Sequence, residues 1–294
     1  MTTIAVVAHR KKILGEGLGE LRRVLAQRGY PEPIWYEVDK SRKAPKAVRR
    51  AMDDGADLIF AWGGDGTVQR CVDVVAGKNV TLAILPAGTA NLLANSLDVP
   101  IDIEKAVDVG LYGDRRRLDV GVLNGQRFAV MAGVGFDAVM MQNADGDLKD
   151  RFGRLAYVWT GIRATHTKPC KVSIKVDGKK WFKGKSSCIL LGQMGSLPGG
   201  FTAFANAVPD DGLLEVGVVT AESMVQWARV FSRLAQGDAN RSPLTSMTQG
   251  REIEITMSRP MIYEVDGGAR EARKTHRASI EPGALNICVP TSGP

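Results

Sequence analysis

Two hydrophobic rhythms alternate through the first hundred residues. Short, mostly apolar runs at Ile4 to Ala8, Ile34 to Glu37, Leu58 to Trp62 and Leu82 to Leu85 have the length and β-branched content of buried strands. Between them, Leu18 to Arg28, Ala44 to Asp54 and Thr67 to Ala76 repeat apolar residues every three or four positions, the spacing of one helical face. Strand and helix taking turns predicts an α/β domain, a parallel sheet with helices on its faces.

From about Arg117 the rhythm changes. Leu118 to Leu123, Arg127 to Met131, Lys171 to Val176, Cys188 to Gln193, Leu213 to Val219, Glu252 to Met257, Ile262 to Val265 and Leu285 to Val289 read as strands, joined by turns such as Asn124-Gly125 and Asp177-Gly178. Two amphipathic helical stretches, Lys149 to Thr165 and Ser223 to Ala235, interrupt this β-rich half with apolar stripes suited to a core. The expected organisation is an α/β domain over 1–117 and a β-rich domain with helical insertions over 118–284, with 285–294 able to return to the first.

With 294 residues, the chain can build two cores without disulfide or metal staples. An excess of 39 Lys and Arg over 32 Asp and Glu, +7 in all, favours anionic partners. Four scattered cysteines without a C-x-x-C pair suggest neither zinc nor a disulfide framework, and fit a reducing, cytoplasmic setting. The first apolar run precedes its basic residues, the reverse of a signal peptide. The longest apolar stretch, Phe128 to Met141, is broken by Asp137 and too short for a membrane helix.

The strongest chemical signal follows the third strand. Trp62 runs into Gly63-Gly64-Asp65-Gly66-Thr67 and then into a helical pattern, so backbone N–H groups can converge where a helix dipole is positive, as phosphate binding requires. Side chains at the glycines would block close approach of a ligand to the backbone, and Thr67 can cap the helix or reach a phosphate oxygen. A second turn, Leu85-Pro86-Ala87-Gly88-Thr89-Ala90-Asn91, again links strand to helix. Two such turns at neighbouring strand ends would face one crevice, where open α/β sheets bind ligands. Other matches are decoys. Gly133 to Ala138 fits G-x-G-x-x-A without a βαβ unit around it, and Gly178 to Ser186 lacks the Walker A spacing. His9, His166 and His276 are isolated and read as surface or packing residues.

These motifs resemble the diacylglycerol kinase catalytic-domain superfamily, in particular its bacterial soluble lipid kinases, and more distantly sphingosine kinases and NAD kinases. Gly63 to Thr67 is similar to the GGDGT nucleotide loop and Pro86 to Asn91 to the P-x-G-T-x-N element. Leu118 to Gly121, Gly133 to Ala138, Pro209 to Leu213 and Val265 to Gly267 follow in the expected order. The resemblance implies that the second domain is β-sandwich-like, and it implies γ-phosphoryl transfer from ATP, with Mg²⁺, to a lipid hydroxyl such as that of diacylglycerol, in a cleft between the domains. It implies nucleotide contacts by Lys11, Gly63, Gly64, Asp65, Gly66, Thr67, Gly88, Thr89 and Asn91, and metal contacts by Asp65, Asp119, Asp210 and Asp211. Asp211, Asp65 and Asp266 are the catalytic candidates. Each of these carboxylates can also be read as an ordinary cap or turn residue.

Three positions depart from the family pattern: Ala8-His9 replaces Asn-Pro, Leu92 replaces Asp, and Gly268 stands where a Glu proposed as base is usual. A general base contributes roughly 10²- to 10⁴-fold, but the loose transition state of phosphoryl transfer softens that need. A catalytically weak nucleotide- or lipid-binding regulator is therefore the first alternative. NAD kinase is the second, weakened by the absence of an Asn-Glu dipeptide. Lys168 to Lys185 holds seven lysines and one acid around Trp181 and Phe182, which suits peripheral attachment to an anionic membrane surface at the inner face of the cell membrane or a solvated sheet edge. Gly192 to Ala207, with Met194, Leu197, Phe201 and Phe204, is a candidate wall for acyl chains or a packed loop. Nucleic acid is not an expected partner; a homodimer is compatible with the sequence, which does not fix the oligomeric state.

Overall fold

A computed structural model describes residues 2–135, 169–197, 201–266 and 268–291; the helix expected over Lys149 to Thr165 lies outside them. The chain divides into two compact units, 1–120 with 283–294, and 121–282. The boundary expected at 117/118 and the observed one at 120/121 both fall within a single strand.

The first unit is built on β1 (Ile4–His9), β2 (Ile34–Val38), β3 (Leu58–Gly63) and β4 (Thr81–Pro86). These strands are parallel, with β1 between β2 and β3, and β3 beside β4. Every residue of β1 and β3 is buried, as expected of parallel strands covered on both faces. The helices are α1 (Leu18–Gln27), α2 (Ala44–Asp53), α3 (Asp65–Val75), the short α4 (Leu92–Ser96) and α5 (Ile103–Tyr112). In α2 the inward stripe is Ala44, Ala47, Val48 and Ala51, small residues that let the helix lie close. Helix α5 escaped the sequence reading, although its signals are present. The Asp102 side chain accepts from Lys105 N at 2.9 Å, a helix cap, and Ile103, Ala106, Val107 and Gly110 are buried at helical spacing. Gly110 is required by packing, since a Cβ there would lie 2.1 Å from the Phe60 ring. A paired ion bridge, Arg28 Nε to Asp108 at 2.8 Å, ties α1 to α5.

The second unit is antiparallel. Strand β5 (Asp114–Leu123) leads into it, followed by β6 (Gln126–Phe128), β7 (Met131–Gly135), β8 (Cys170–Val176), β9 (Lys179–Ser186), β10 (Cys188–Gly192), the two-residue strands β11 (Ser196–Leu197) and β12 (Phe201–Thr202), then β13 (Leu214–Val219), helix α6 (Met224–Ala235), β14 (Thr245–Gly250), β15 (Glu252–Val265) and β16 (Gly268–Val289). The spatial order is β14, β13, β10, β7, β15, β16, with the β8–β9 hairpin joined to β15. Both predicted hairpin turns carry paired positive φ values, 52° and 80° at Asn124-Gly125, 49° and 76° at Asp177-Gly178, the backbone that two-residue hairpins demand. Leu191, Val216, Ile255 and Tyr263 belong to the main core, while Trp227, Val230 and Leu234 of α6 pack with Leu190 and Phe204 in a second cluster. Ser223 and Gln226 form a reciprocal capping box at the start of α6. Near the end of β16, Asn286 and Ile287 pair in parallel with β4, within the first unit.

His276 has a packing role. It is almost fully buried against the Tyr263 ring, and burial holds its pKa down to about 4, so the imidazole is neutral at physiological pH. All four cysteines are buried, and none of them forms a disulfide. Burial pushes the Cys71 and Cys288 thiols up to about 12. At Cys170 burial also opposes ionisation, but hydrogen bonds from the Ser258 hydroxyl and from the backbone at Arg259 and Ser258 outweigh it and lower the pKa. Thiolate is the reactive form, so Cys170 should be alkylated by iodoacetamide faster than Cys71 or Cys288, read by peptide mass mapping. Equal rates at all three would contradict this. Among the described residues no helix is long and apolar enough to cross a membrane.

Candidate nucleotide site

Because β3 and β4 run parallel with Gly63 opposite Pro86, the two glycine turns leave the sheet side by side. Their backbones touch. A Cβ on Gly88 would sit 2.4 Å from Gly64 Cα and 2.7 Å from Asn91 Oδ1; one on Gly63 would sit 2.6 Å from Thr67 Cβ. Contacts that short are never made by real side chains, so Gly64 and Gly88 let one loop press against the other, while Gly63 leaves room for Thr67 of its own loop. The expectation that both turns share one edge of the sheet is met.

Side chains then lock the pair. Asn91, in the left-handed region at φ 45°, accepts from Gly88 N at 2.8 Å and donates to Gly88 O at 2.9 Å. The Asp65 carboxylate, at the start of α3, accepts from Asn91 N at 3.1 Å and from Leu92 N. It therefore clamps the second loop to the first. The carbonyl of Gly64 accepts from Thr67 N and Val68 N at 2.8 and 3.1 Å, which starts α3 two residues before the expected Thr67. Thr67 is buried, and its hydroxyl pairs with Ser41 Oγ at 2.9 Å. Gly66 and Thr89 are exposed. Lys11 is exposed in the turn after β1, and Trp62 Nε1 donates to the neighbouring Lys12 carbonyl at 3.1 Å, holding this turn at the end of β3. His9, read from sequence as incidental, is buried at the same strand end with no hydrogen-bond partner for Nδ1. The result is a positive helix terminus, exposed glycine backbone and a lysine at one edge, a combination suited to a polyphosphate.

The remaining candidate carboxylates sit on other elements. Asp119, on β5, is 3% exposed and accepts from Gly283 N at 2.7 Å. Asp210 and Asp211 are exposed in a turn closed by Gly212 at φ 75°, where Asp211 Oδ1 accepts from Leu213 N at 2.9 Å. Glu215, which sequence reasoning passed over, follows on β13; burial raises its pKa, Gln249 opposes this with a 2.6 Å hydrogen bond, and the Asp211 charge adds to the rise. Asp266, at φ 42°, accepts from the backbone of Ala129, Val130 and Met131 at 3.0 to 3.1 Å. At Gly268 a Cβ would meet Arg270 Nη1 at 2.6 Å, and that guanidinium donates to the carbonyls of Gly268 and Ala269. Among the described residues no three His, Cys, Asp or Glu side chains group as a metal cage. In the 192–207 segment, Phe204 is buried beneath Gly192, Gly195 and Gly217, which gives it a place in the core.

Residues 10–123 match the family model for the diacylglycerol kinase catalytic domain, and residues 130–289 match that for the YegS C-terminal NAD kinase beta sandwich-like domain. The chain belongs to the diacylglycerol kinase and YegS-like lipid kinase family. Within this family it is 29% identical to the diacylglycerol kinase of Bacillus subtilis, over 87% of this chain and 86% of that protein. It is 30% identical to a Pseudomonas aeruginosa protein named "Probable lipid kinase YegS-like", over 99% and 95%. A crystal structure of a Bacillus anthracis diacylglycerol kinase has the same fold, with a TM-score of 0.76 at 20% identity over 98% and 96% of the two chains. An NAD kinase from Archaeoglobus fulgidus, in complex with ATP, shares the fold at a TM-score of 0.52 and 12% identity, over 97% and 92%. Both glycine loops of this family member fall within the catalytic-domain match.

Proposed function

We propose that the protein transfers the γ-phosphoryl group of ATP to the hydroxyl of diacylglycerol or a similar lipid met at an anionic membrane surface. The observation that carries this reading is the back-to-back packing of Gly64 on Gly88, which turns two loops into a single rigid cradle. Phosphoryl transfer asks the protein mainly for positioning and charge stabilisation. In this reading the backbone of Gly63, Gly64, Gly66 and Gly88 orients the phosphates, Thr89 and Asn91 border them, and Lys11 offsets their charge. Asp65 and Asn91 hold the cradle in shape.

Magnesium is usually bound through one or two carboxylates plus substrate phosphates, and in this reading the ion arrives with ATP. Asp65 or Asp119 would meet it, with Asp210 and Asp211 as a second candidate pair. When bound, it would neutralise charge on the β- and γ-phosphate oxygens. We assign the acceptor hydroxyl to Asp211 before Asp266, because Asp211 is exposed whereas the Asp266 oxygens are engaged by three backbone donors.

Radiolabelled ATP and Mg²⁺ incubated with mixed micelles of candidate lipids test this reading. A phosphorylated lipid is expected, with Asp211→Asn lowering turnover about 10²-fold or more. No labelled lipid from folded protein would retire it. Gly268, with Arg270 beside it, favours a second reading, a regulator that binds ATP without turnover; calorimetric ATP binding in the absence of any labelled product would select it.

A further inference from the structure

We propose that the outward face of strands β9, β8, β15 and β16 is a docking surface for an anionic lipid bilayer. In the hairpin, Lys171 lies opposite Lys185, Ser173 opposite Lys183 and Lys175 opposite Lys180, and residues directly opposite share a face. The other face is committed to the core, with Val172 and Ile174 buried and Trp181 and Phe182 packed against them. The lysines are all exposed. The same face continues inward: Lys175 and Ser173 oppose Glu254 and Thr256 on β15, which oppose Arg277 and Thr275 on β16.

Like charges directly opposite one another destabilise a sheet, and this hairpin contains two such pairs. Compensation within the protein is partial. Lys175 reaches Glu254 at 3.2 Å and Lys185 reaches Glu222 at 3.4 Å. Asp177, the only acid of the hairpin, accepts from the backbone of Arg251 and Glu252 at 2.9 and 2.8 Å, so its oxygens serve the turn. No ion pair among the described residues involves Lys171, Lys180 or Lys183. A groove of about 780 Å³ on this face is bordered by Thr256, Arg273, Thr275 and Arg277, together with Glu252 and Glu254, room for a phospholipid headgroup.

Protection of a sheet edge explains charge on β9 alone, because among the described residues β9 pairs only with β8. It does not explain Lys171, Lys175 and Arg277, which sit on strands paired on both sides. Single-stranded nucleic acid is bound by aromatic rings that stack on bases, but the rings of this hairpin pack against the core. A broad sheet face with unpaired lysines is complementary to a planar array of phosphates, where each basic residue near the surface adds to attraction. The choice of bilayer as occupant rests on the lipid kinase reading.

The experiment is co-flotation of the full chain with vesicles of phosphatidylcholine alone or mixed with phosphatidylglycerol, without ATP or phosphoryl acceptor. We expect salt-sensitive binding to the mixed vesicles only. Combined Lys171→Glu, Lys180→Glu and Lys183→Glu should weaken it on the order of 100-fold, while reversal of Lys46, Arg49 and Lys105, exposed on the first unit, should change it about fivefold or less. Circular dichroism confirms that both variants fold. Equal losses in the two variants, no vesicle binding by wild type, or tighter capture by single-stranded DNA than by vesicles would each overturn the proposal. Vesicle binding without lipid phosphorylation would sink the kinase reading alone; phosphorylation in micelles without vesicle binding would sink only the docking surface.

Discussion

Gly88→Ala will cost about 2–3 kcal/mol of stability, the upper part of the range for overpacking a close-packed site, and will weaken ATP binding at least tenfold. The added methyl would lie 2.4 Å from Gly64 Cα and 2.7 Å from Asn91 Oδ1. The first neighbour is backbone and cannot swing aside. Relief requires the second loop to move away from the first, which stretches the Asp65 bonds to Asn91 and Leu92 and opens the cradle. Urea denaturation gives the stability change, and titration calorimetry with ATP gives the affinity. Thr89→Ala is the matched control: its side chain is exposed, and truncation should shift stability by less than about 0.5 kcal/mol. If Gly88→Ala also stays within that margin and binds ATP normally, the two loops are not in contact as described.

The second large effect is expected at Asp266, and it separates a structural carboxylate from a chemical one. Asp266→Ala leaves the N–H groups of Ala129, Val130 and Met131, all buried, without the acceptor they now share. Each orphaned buried donor costs about 1–3 kcal/mol, so a total of about 3–9 kcal/mol is expected for the three. That is a large part of the roughly 5–15 kcal/mol that holds a domain folded. Asp266→Asn keeps one acceptor oxygen but turns an amide donor toward donors, and should fall between the two. Stability and lipid phosphorylation are predicted to decline together across the series. A variant that keeps wild-type stability while losing turnover would show that the carboxylate works on substrate.

The paired turns were legible because their information is local. Gly63 to Thr67 and Pro86 to Asn91 each combine glycine with a flanking strand and helix pattern, and parallel pairing of β3 with β4 carries both to one edge. The roles of the carboxylates were not legible to the same degree. Asp65 stands between glycines like a ligand residue, yet its two backbone donors are 26 and 27 positions away. Asp266 bonds to residues some 136 positions earlier. No spacing rule reaches that far. Strand β16 was hidden for a different reason. Between Gly268 and Pro282 only positions such as His276 and Ala278 face the core, so its charged outward residues masked the alternation, and only Leu285 to Val289 read as a strand. The polar β14, TSMTQG, failed the same test.

The path of β16 also dictates an order of events during synthesis. The parallel sheet that carries both glycine loops gains its neighbour to β4 from Asn286 and Ile287, residues translated only after the whole of 121–282 has been made. On the ribosome, where domains generally fold as units from the N-terminal side, the nascent nucleotide unit must wait with one flank of its sheet bare, and its edge is covered only when the late strand arrives.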